Sequence, residues 1–303
     1  MLVLSSGRAC VLFADIETSR VEAEERFEEL GFESLPYPWH EGPGELLADL
    51  VAGTRQAGDR EIEGALAPHR RELLDPERER FFTAGRDAAE AMVATLARLR
   101  PETRELEAGA ELARQARSRG FFPGVVLVAG AERQRLHRHP LPTEAPLGPH
   151  ALLAVTAERE GLYLSLTRLA SFGPPPAELE RLVRAAATVD AAMLAASRPG
   201  AAVRDVLATA AREYEAQGFP EEWRRHHQGG ITGYRGREVF ATPADPTPLP
   251  SSCAVAWNPS IRGGAKSEDT ALVSDRGVEI VTATPGLPQL SVNGLPRPGI
   301  AEL

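Results

Sequence analysis

The spacing of hydrophobic and polar residues predicts alternating strands and helices from the start of the chain. Residues 8–15 (RACVLFAD) form a short apolar run typical of a buried strand, and 32–38 (FESLPYP) alternates as a second strand would. Between them, 21–32 has the spacing of an amphipathic helix, with Ser19 as its expected cap and Gly31 as its expected end. This opening stretch predicts a small α/β unit.

A long helical pattern begins at Asp75-Pro76, where Asp is the expected N-cap and Pro suits the first helical position. The pattern continues to about Arg100. We therefore place a domain boundary near residue 75. Residues 1–74 are expected to form a short N-terminal α/β domain, and residues 75–303 a second domain.

The second domain repeats its own pattern at a constant offset. Residues 76–121 and 174–219 share an opening proline, a central break ending in proline and a final Gly-Phe pair. Each copy predicts a long helix, a break, a second amphipathic helix and a glycine stop, followed by strand-like sequence. Duplication predicts two related α/β halves whose helix pairs pack against one shared sheet.

Three further segments complete the predicted elements. Residues 148–173 predict two strands joined by a turn at Glu160-Gly161, because Gly tolerates the backbone conformation of a tight turn. Residues 253–273 (CAVAWNPSIRGGAKSEDTALV) also predict strand, turn and strand. Residues 285–303 are punctuated by Pro and Gly, which favours an extended course along the surface.

The second of these hairpins places candidate site residues close together. Asn258 and Glu268 fall at neighbouring strand ends, where side chains can converge on one point. Lys266 beside them is the one lysine of the chain, in which every other Lys/Arg position is arginine. A compact ammonium at this position favours a specific role, although a lysine in a solvated loop is the simpler alternative.

Composition excludes several classes of function. A net charge of −9, from 34 basic and 43 acidic residues, gives no indication of nucleic-acid binding or of binding to a membrane. Cys10 and Cys253 lie far apart in sequence without a metal-type spacing, which favours a reducing compartment and no disulfide framework. No apolar run approaches the roughly 18 residues of a spanning helix. We expect a cytoplasmic protein.

The segment 224–238 (RRHHQGGITGYRGRE) carries the densest group of polar side chains. Its two histidines could bind a ligand, or their ring nitrogens could simply be hydrogen-bonded within the core, because histidine serves both purposes. Gly229 and Gly230 would let the backbone approach a ligand or a neighbouring strand closely.

These motifs together resemble the creatinase/aminopeptidase P/prolidase family, whose catalytic domain has the α/β pita-bread fold. The resemblance rests on the duplicated helices and on three short motifs in the family's order, namely RHPLPTE (138–144), GLYLSLTR (161–168) and SEDT (267–270). It covers roughly residues 75–284. Residues 1–70 resemble the later part of the family's N-terminal domain, which is shorter here than usual.

The resemblance also implies which positions would hold the family's two divalent metals. Active members use two Asp, one His and two Glu. In the order of the chain, these ligands fall here on Ala154, Ser165, His227, Asn258 and Glu268, and a substrate-binding histidine of the family falls on Tyr234. Only one carboxylate and one imidazole are therefore kept.

That loss predicts that no two-metal centre forms and that the protein needs no cofactor. A pair of divalent ions brings about four positive charges, which the family opposes with carboxylates. Ala154 offers no donor atom, and a neutral hydroxyl or amide is a weak ligand for a hard cation. A single ion on His227 and Glu268, helped by His226, stays open, although useful sites have about three protein ligands.

Several side chains could still act in the remaining pocket. His139, His227 and Glu268 are the candidate catalytic residues, with His139 as proton carrier and Glu268 as anchor. Ser165, Tyr234, Arg237, Asn258 and Lys266 are the candidate ligand-binding residues. Each has an ordinary structural alternative, as a surface or core residue. Ser165 as a nucleophile lacks an identifiable orienting Asp or oxyanion donor.

Three functions are consistent with this pattern. The preferred one is a peptidase-like protein that binds a short peptide or small molecule, neutral or anionic, without metallopeptidase turnover. The second is a metal-independent hydrolase of C–N bonds, as the resemblance to creatinase implies. The third is an active Xaa-Pro peptidase with unusual metal ligands. The resemblance also implies a homodimer.

Overall fold

The structure is a computed structural model that describes residues 1–5 and 7–303. It divides into two compact units, Met1–Gly64 and Ala65–Leu303. The domain boundary near residue 75 stays a prediction from the sequence.

The first unit is built on a three-stranded sheet, β1 Leu2–Ser5, β2 Arg8–Ala14 and β3 Glu33–Tyr37. Strand β2 is central, antiparallel to β1 and parallel to β3. Its buried side chains Cys10 and Leu12 pack with half-buried leucines of helix α2, which comprises Gly44–Leu50. The strands predicted at 8–15 and 32–38 are confirmed.

The single helix predicted over residues 21–32 is wrong. A short helix α1, Thr18–Arg20, runs into a π-helical turn, and a separate 3-10 turn follows at Phe27–Leu30. Arg26 between them has a φ of 48°, a left-handed conformation that interrupts a right-handed helix. Ser19 therefore lies inside α1 instead of capping a helix. Gly31, with a φ of 82°, ends the 3-10 turn as expected.

The helices of the remaining chain follow the predicted repeat. Helix α3, Asp59–Arg71, precedes the first pair, which consists of α4 Asp75–Leu96 and α5 Glu105–Arg117. The short helix α6, Ala131–Gln134, precedes the second pair, which consists of α7 Ala177–Ala196 and α8 Val203–Ala216. The expected cap of α4 is wrong by one position. Leu74 is the N-cap, and its N–H donates to Glu77 Oε2 at 2.6 Å.

The second unit contains two large sheets in place of the one shared sheet that we predicted. The first has the order β16-β6-β5-β4, from β4 Phe122–Gly130, β5 His150–Arg159, β6 Leu162–Ser171 and β16 Ile300–Glu302. The second has the order β13-β12-β9-β7-β8, from β7 Gly229–Thr232, β8 Val239–Phe240, β9 Cys253–Trp257, β12 Asp269–Ser274 and β13 Gly277–Ile280. A bridge between Thr167 and Glu268 joins them.

Each helix pair covers one of these sheets. Buried residues of α4 and α5 pack against β4, β5 and β6, and those of α7 and α8 pack against β7, β9 and β12. Such helix-on-sheet layers bury the apolar face of every element. The Glu160-Gly161 turn has positive φ values of 52° and 79°, and it joins β5 to β6 as predicted.

Two short hairpins complete the fold. The first, β10 Ser260–Ile261 with β11 Ala265–Lys266, lies between β9 and β12. The second, β14 Gln289–Val292 with β15 Leu295–Pro298, belongs to the segment expected at the surface. That expectation is wrong in part, because Arg297 of β15 is only 1% exposed. Across the described residues, no helix has both the length and the apolar character needed to cross a bilayer.

Candidate ligand-binding site

The two sheets of the second unit enclose a cavity of about 410 Å³. Its apolar wall comes from β4, β5 and β8, through Val125, Leu127, Val155 and Phe240. Its other wall, which is mostly polar, brings together seven of the ten positions that the sequence singled out, namely His139, Ala154, His227, Arg237, Asn258, Lys266 and Glu268. A concave site with an apolar lining and a few convergent polar groups is typical of small-ligand pockets.

Glu268 is the one carboxylate in this wall, and both of its oxygens are already engaged. Its Oε2 accepts a hydrogen bond from Thr167 Oγ1 at 2.6 Å and lies 3.0 Å from Lys266 Nζ. Its Oε1 accepts from the Arg237 guanidinium at 3.2 Å. All of these groups are buried. Burial alone would raise the pKa of Glu268, but Lys266 and Arg237 hold that pKa below its usual value.

Arg237 bridges two of the positions that correspond to metal ligands. One guanidinium nitrogen donates to Glu268, and another donates to Ser165 Oγ at 3.2 Å. Ser165 Oγ also lies 2.9 Å from the hydroxyl of Thr156 on the neighbouring strand. Burial lowers the pKa of Arg237, and Glu268 opposes that shift. A guanidinium therefore stands between Ser165 and Glu268.

Ala154 and Asn258 give this wall little capacity to bind a cation. Ala154 lies on β5 directly opposite Thr167 of β6, and its methyl group has no donor atom. Asn258, 2% exposed, follows β9, and its Oδ1 has no hydrogen-bond partner among the described residues. A buried amide oxygen without a partner is costly, and a ligand that donates a hydrogen bond there would offset the cost.

Three histidines cluster at one side of the cavity, and two of them, His139 and His227, line it. His226 Nε2 lies 2.8 Å from His139 Nε2, and the His226 and His227 rings stack with centroids 4.4 Å apart. Ring nitrogens of all three lie within 4.8 Å of one another. Because two imidazoles can share this short contact only if one of them is an acceptor, at least one ring of the His139–His226 pair is neutral.

Burial, and then the nearby positive charges, keep these imidazoles neutral. Burial lowers the pKa of His226 and of His139, and the Lys266 ammonium lowers both further. Burial and the Arg237 guanidinium lower the pKa of His227 to about 4. With neutral histidines, the side chains of Lys266, Arg237 and Glu268 leave the wall with one excess positive charge.

The structure does not bring every predicted residue into this wall. Tyr234 lies apart from the cavity, where its hydroxyl accepts from Arg80 at 2.9 Å and donates to Glu77. Ser165 is fully buried behind the wall, in contact with it through Arg237. Among the described residues, His227 forms no hydrogen bond to Asn258 or Ser165, as it would in a core role beside them.

Sequence reasoning missed two contributors. Thr167 belongs to the GLYLSLTR motif, and its alternation with Ser165 on the same face of β6 was a usable signal. Phe240 packs edge-on against His227 with ring centroids 5.0 Å apart, and no sequence pattern marks it. The solvated-loop alternative for Lys266 is wrong, since Lys266 is only 5% exposed.

The sequence was then compared with known protein families. The profile of metallopeptidase family M24 matches residues 79–275, which covers all but the first turn of the two helix pairs and every residue of the cavity wall. The chain belongs to metallopeptidase family M24. A comparison with curated protein sequences found no match.

Three solved structures of similar fold, two with peptidase names and one without, show what the chain is similar to. An X-Pro aminopeptidase from Thermotoga maritima MSB8 matches with a TM-score of 0.78 and 17% identity, covering 100% of this chain and 90% of that one. A dipeptidase PepE from Mycobacterium ulcerans gives 0.75 and 19%, covering 100% and 86%. The N-terminal domain of FACT complex subunit SPT16 from Cicer arietinum gives 0.65 and 12%, covering 93% and 83%. At these identities the likeness shows the pita-bread fold.

The two-metal centre that this family implies does not fit the residues present. The single available carboxylate, Glu268, is bonded to two cations and a hydroxyl, so that a metal would have to displace Lys266 or Arg237. The three histidines offer neutral nitrogen ligands for one ion. The same Lys266 and Arg237 charges would repel a divalent ion at that place.

Proposed function

We propose that this member of metallopeptidase family M24 binds a short peptide or small molecule in the cavity without operating a two-metal reaction. The observation that carries the proposal is the placement of Lys266 and Arg237 against Glu268. Two fixed organic cations supply positive charge where the family's chemistry needs metal ions. They offer no vacant coordination position, so they cannot generate a metal-bound hydroxide.

The same charges indicate which ligands the cavity favours. Its wall has one excess positive charge, and the buried Asn258 Oδ1 lacks a donor. A ligand with a carboxylate near Lys266 and an N–H near Asn258 would satisfy both. Short peptides carry both groups, and the apolar wall suits an aliphatic or prolyl side chain. A neutral or anionic ligand should therefore bind more tightly than a polyamine.

Metal content tests the first half of the proposal. The protein is dialysed against Mn²⁺, Co²⁺ and Zn²⁺ in turn, and bound metal per chain is measured by mass spectrometry. We expect fewer than two ions. The matched variant combines Ala154→Asp, Ser165→Asp and Asn258→Glu with Lys266→Met, and it should gain metal and melt at a higher temperature with Mn²⁺. Two bound ions in the unchanged protein would contradict the proposal and favour an active Xaa-Pro peptidase.

Ligand binding tests the second half. Thermal melting is followed with Ala-Pro, with a dicarboxylate such as succinate and with spermidine as the cationic comparison. Ala-Pro or succinate should raise the melting temperature, and Lys266→Met should abolish the increase. A larger effect of spermidine than of succinate would contradict the charge argument.

A second candidate function, metal-independent hydrolysis of a C–N bond, is supported by the histidine cluster. A neutral imidazole such as His139 can accept a proton at neutral pH, and His226 is within hydrogen-bond distance of it. This function predicts hydrolysis that EDTA does not inhibit and that His139→Ala abolishes. A broad amidase and amidinohydrolase screen without activity would exclude it and leave ligand binding as the function.

The expected homodimer, the cytoplasmic location and the domain division at residues 74/75 also stay proposals. Size-exclusion chromatography with light scattering tests the first of them directly.

A further inference from the structure

A second cavity, of about 360 Å³, lies beside the first and shares Lys266 with it. Three segments far apart in sequence form its walls. They are α6 with the turn after it, the 3-10 turn Glu222–Arg224 with its flanks, and the β10–β11 hairpin. The sequence segments AERQRLHRHP and EEWRRHHQ, each rich in arginine and histidine, are thereby brought together.

Positive charge is concentrated in this cavity, although the chain as a whole carries −9. Its walls hold five cationic side chains, Arg135, Arg138, Arg225, Arg262 and Lys266, against two acidic ones, Glu221 and Glu222. Glu221 pairs with Arg224, which does not line the cavity. Arg138 pairs with Glu222 and Lys266 with Glu268, so three of the five cationic side chains are left unopposed.

The existing contacts show which cations are already used. Arg138 donates to Ser260 Oγ at 2.7 Å and pairs with Glu222, so that its guanidinium is held in one place. Within residues 1–5 and 7–303, no hydrogen bond or ion pair engages the side chains of Arg135, Arg225 or Arg262. Three guanidinium groups from three separate segments thus remain available around one cavity.

A buried polar group supplies the second observation. Gln134 lines the same cavity, is only 3% exposed, and neither its Nε2 nor its Oε1 has a hydrogen-bond partner among the described residues. Gly264 packs closely against this amide, since an added Cβ there would come within 2.6 Å of Nε2. A buried amide without partners is costly, and an acceptor oxygen of a bound ligand would satisfy its Nε2.

We propose that this second cavity binds a small polyanion that carries phosphate or carboxylate groups. Guanidinium groups bind the oxygens of both in pairs of parallel hydrogen bonds, and the three free arginines can neutralise two or three negative charges. The cavity is large enough for one such molecule. The proposal goes beyond the function of the first cavity and does not depend on whether that cavity holds metal.

Calorimetric titration tests the proposal with pyrophosphate and, separately, with citrate, at a constant ionic strength near that of physiological saline. We expect saturable binding of one anion per chain. Binding of pyrophosphate alone would identify phosphate as the recognised group, and binding of citrate alone would identify carboxylate. No saturable binding of either anion would overturn the proposal.

Neighbouring arginines provide a matched pair of variants. Arg225→Gln removes a free guanidinium of the cavity, and Arg224→Gln removes a paired, exposed guanidinium outside it, so both change the net charge equally. We expect Arg225→Gln and Arg135→Gln to raise the Kd about 10-fold or more, since a charged hydrogen bond is lost. Arg224→Gln should leave the Kd within about twofold.

Equal effects of Arg224→Gln and Arg225→Gln would show non-specific attraction only and overturn the proposal. A matched melting temperature confirms that each variant is folded.

Discussion

At Glu268, one buried carboxylate is shared by an ammonium, a guanidinium and a hydroxyl. Without this carboxylate, burial of the Lys266 ammonium and the Arg237 guanidinium would cost much free energy, because both charges leave water. The arrangement therefore makes Glu268 a structural requirement of the cavity as well as part of its wall. The Glu268 carboxylate also explains why Lys266, the one lysine of a sequence whose other Lys/Arg positions are arginine, can be buried.

Replacement of Glu268 by Gln should lower the free energy of unfolding by about 3–5 kcal/mol, because Lys266 and Arg237 would then be buried without a counter-charge. Urea denaturation followed by circular dichroism measures the change. Glu279→Gln, at a half-exposed carboxylate on β13, is the control and should change stability by less than about 0.5 kcal/mol. The double variant Glu268→Gln/Lys266→Met should recover part of the loss. A loss below about 1 kcal/mol in the single variant would contradict this account.

His227 supplies a pH dependence whose sign follows from its surroundings. Its pKa in the folded protein is about 4, below the ordinary value of 6.5, because burial and the Arg237 guanidinium disfavour its charged form, as do His139 and Lys266, against the opposing effect of Glu268. Between these two values the unfolded chain binds a proton that the folded chain does not. Stability should therefore fall as the pH is lowered from about 6.5 towards 4.

Urea midpoints measured from about pH 7 to pH 5 test this expectation, and His227→Gln isolates the contribution of one imidazole from that of the carboxylates. The variant should lose less stability on acidification than the unchanged protein. Parallel pH profiles for the two proteins would exclude the assignment.

At the scale of the elements, two glycines decide how strand β7 joins its sheet. A Cβ at Gly229 would lie 2.1 Å from Ala256 O, and one at Gly230 would lie 1.8 Å from Val239 O. No side chain fits at either distance. The sequence prediction that this Gly pair permits close approach of a neighbouring strand is confirmed. Because only Gln228 separates His227 from β7, the same close packing also fixes where the histidine cluster ends.

Gly230→Ala should therefore separate β7 from β8 and lower the free energy of unfolding by about 2–4 kcal/mol, a size typical of overpacking against backbone. Gly286→Ala is the matched control, since a Cβ there meets nothing within 4 Å. Thermal and urea unfolding of both variants provide the comparison. Similar stability of the two variants would show that the strands can move apart freely.

At the scale of the whole second unit, a buried ionic network connects distant parts of the chain. Arg168 of β6 donates to Asp269 at 2.7 Å, and Arg297 of β15 donates to Asp269 at 2.8 Å and to Asp190 of α7 at 2.6 Å. All four side chains are nearly fully buried. The network therefore connects the C-terminal hairpin β14–β15 to β12, the strand that directly follows Glu268 of the cavity wall.

Arg297→Met should lower the free energy of unfolding by about 3–5 kcal/mol, because Asp190 would lose its cationic partner and Asp269 one of two. Arg276→Met, at an exposed turn between β12 and β13, is the control. Differential scanning calorimetry of the two variants measures the difference. A change in Arg297→Met no larger than in Arg276→Met would show that the network contributes little net stability.

Much of the fold could be predicted from the sequence because its signals are local. The strands at 122–130 and 148–173 and both helix pairs follow from hydrophobic period, proline and glycine, which act within a few residues. The prediction failed at 21–32, where left-handed Arg26 interrupts a good helical pattern, and at the supposed single sheet. Strand partnership is a long-range property, and local spacing does not encode it.

The sequence by itself determined the family resemblance and the absence of carboxylates at Ala154, Ser165 and Asn258, since donor atoms are a property of residue type. Only the tertiary structure decided what replaces the missing charges. Lys266 and Arg237 reach Glu268, Tyr234 turns away to Arg80 and Glu77, and arginines of three segments surround a second cavity. The physical reason is that electrostatic energy depends on distances in space, and packing of the two sheets sets those distances.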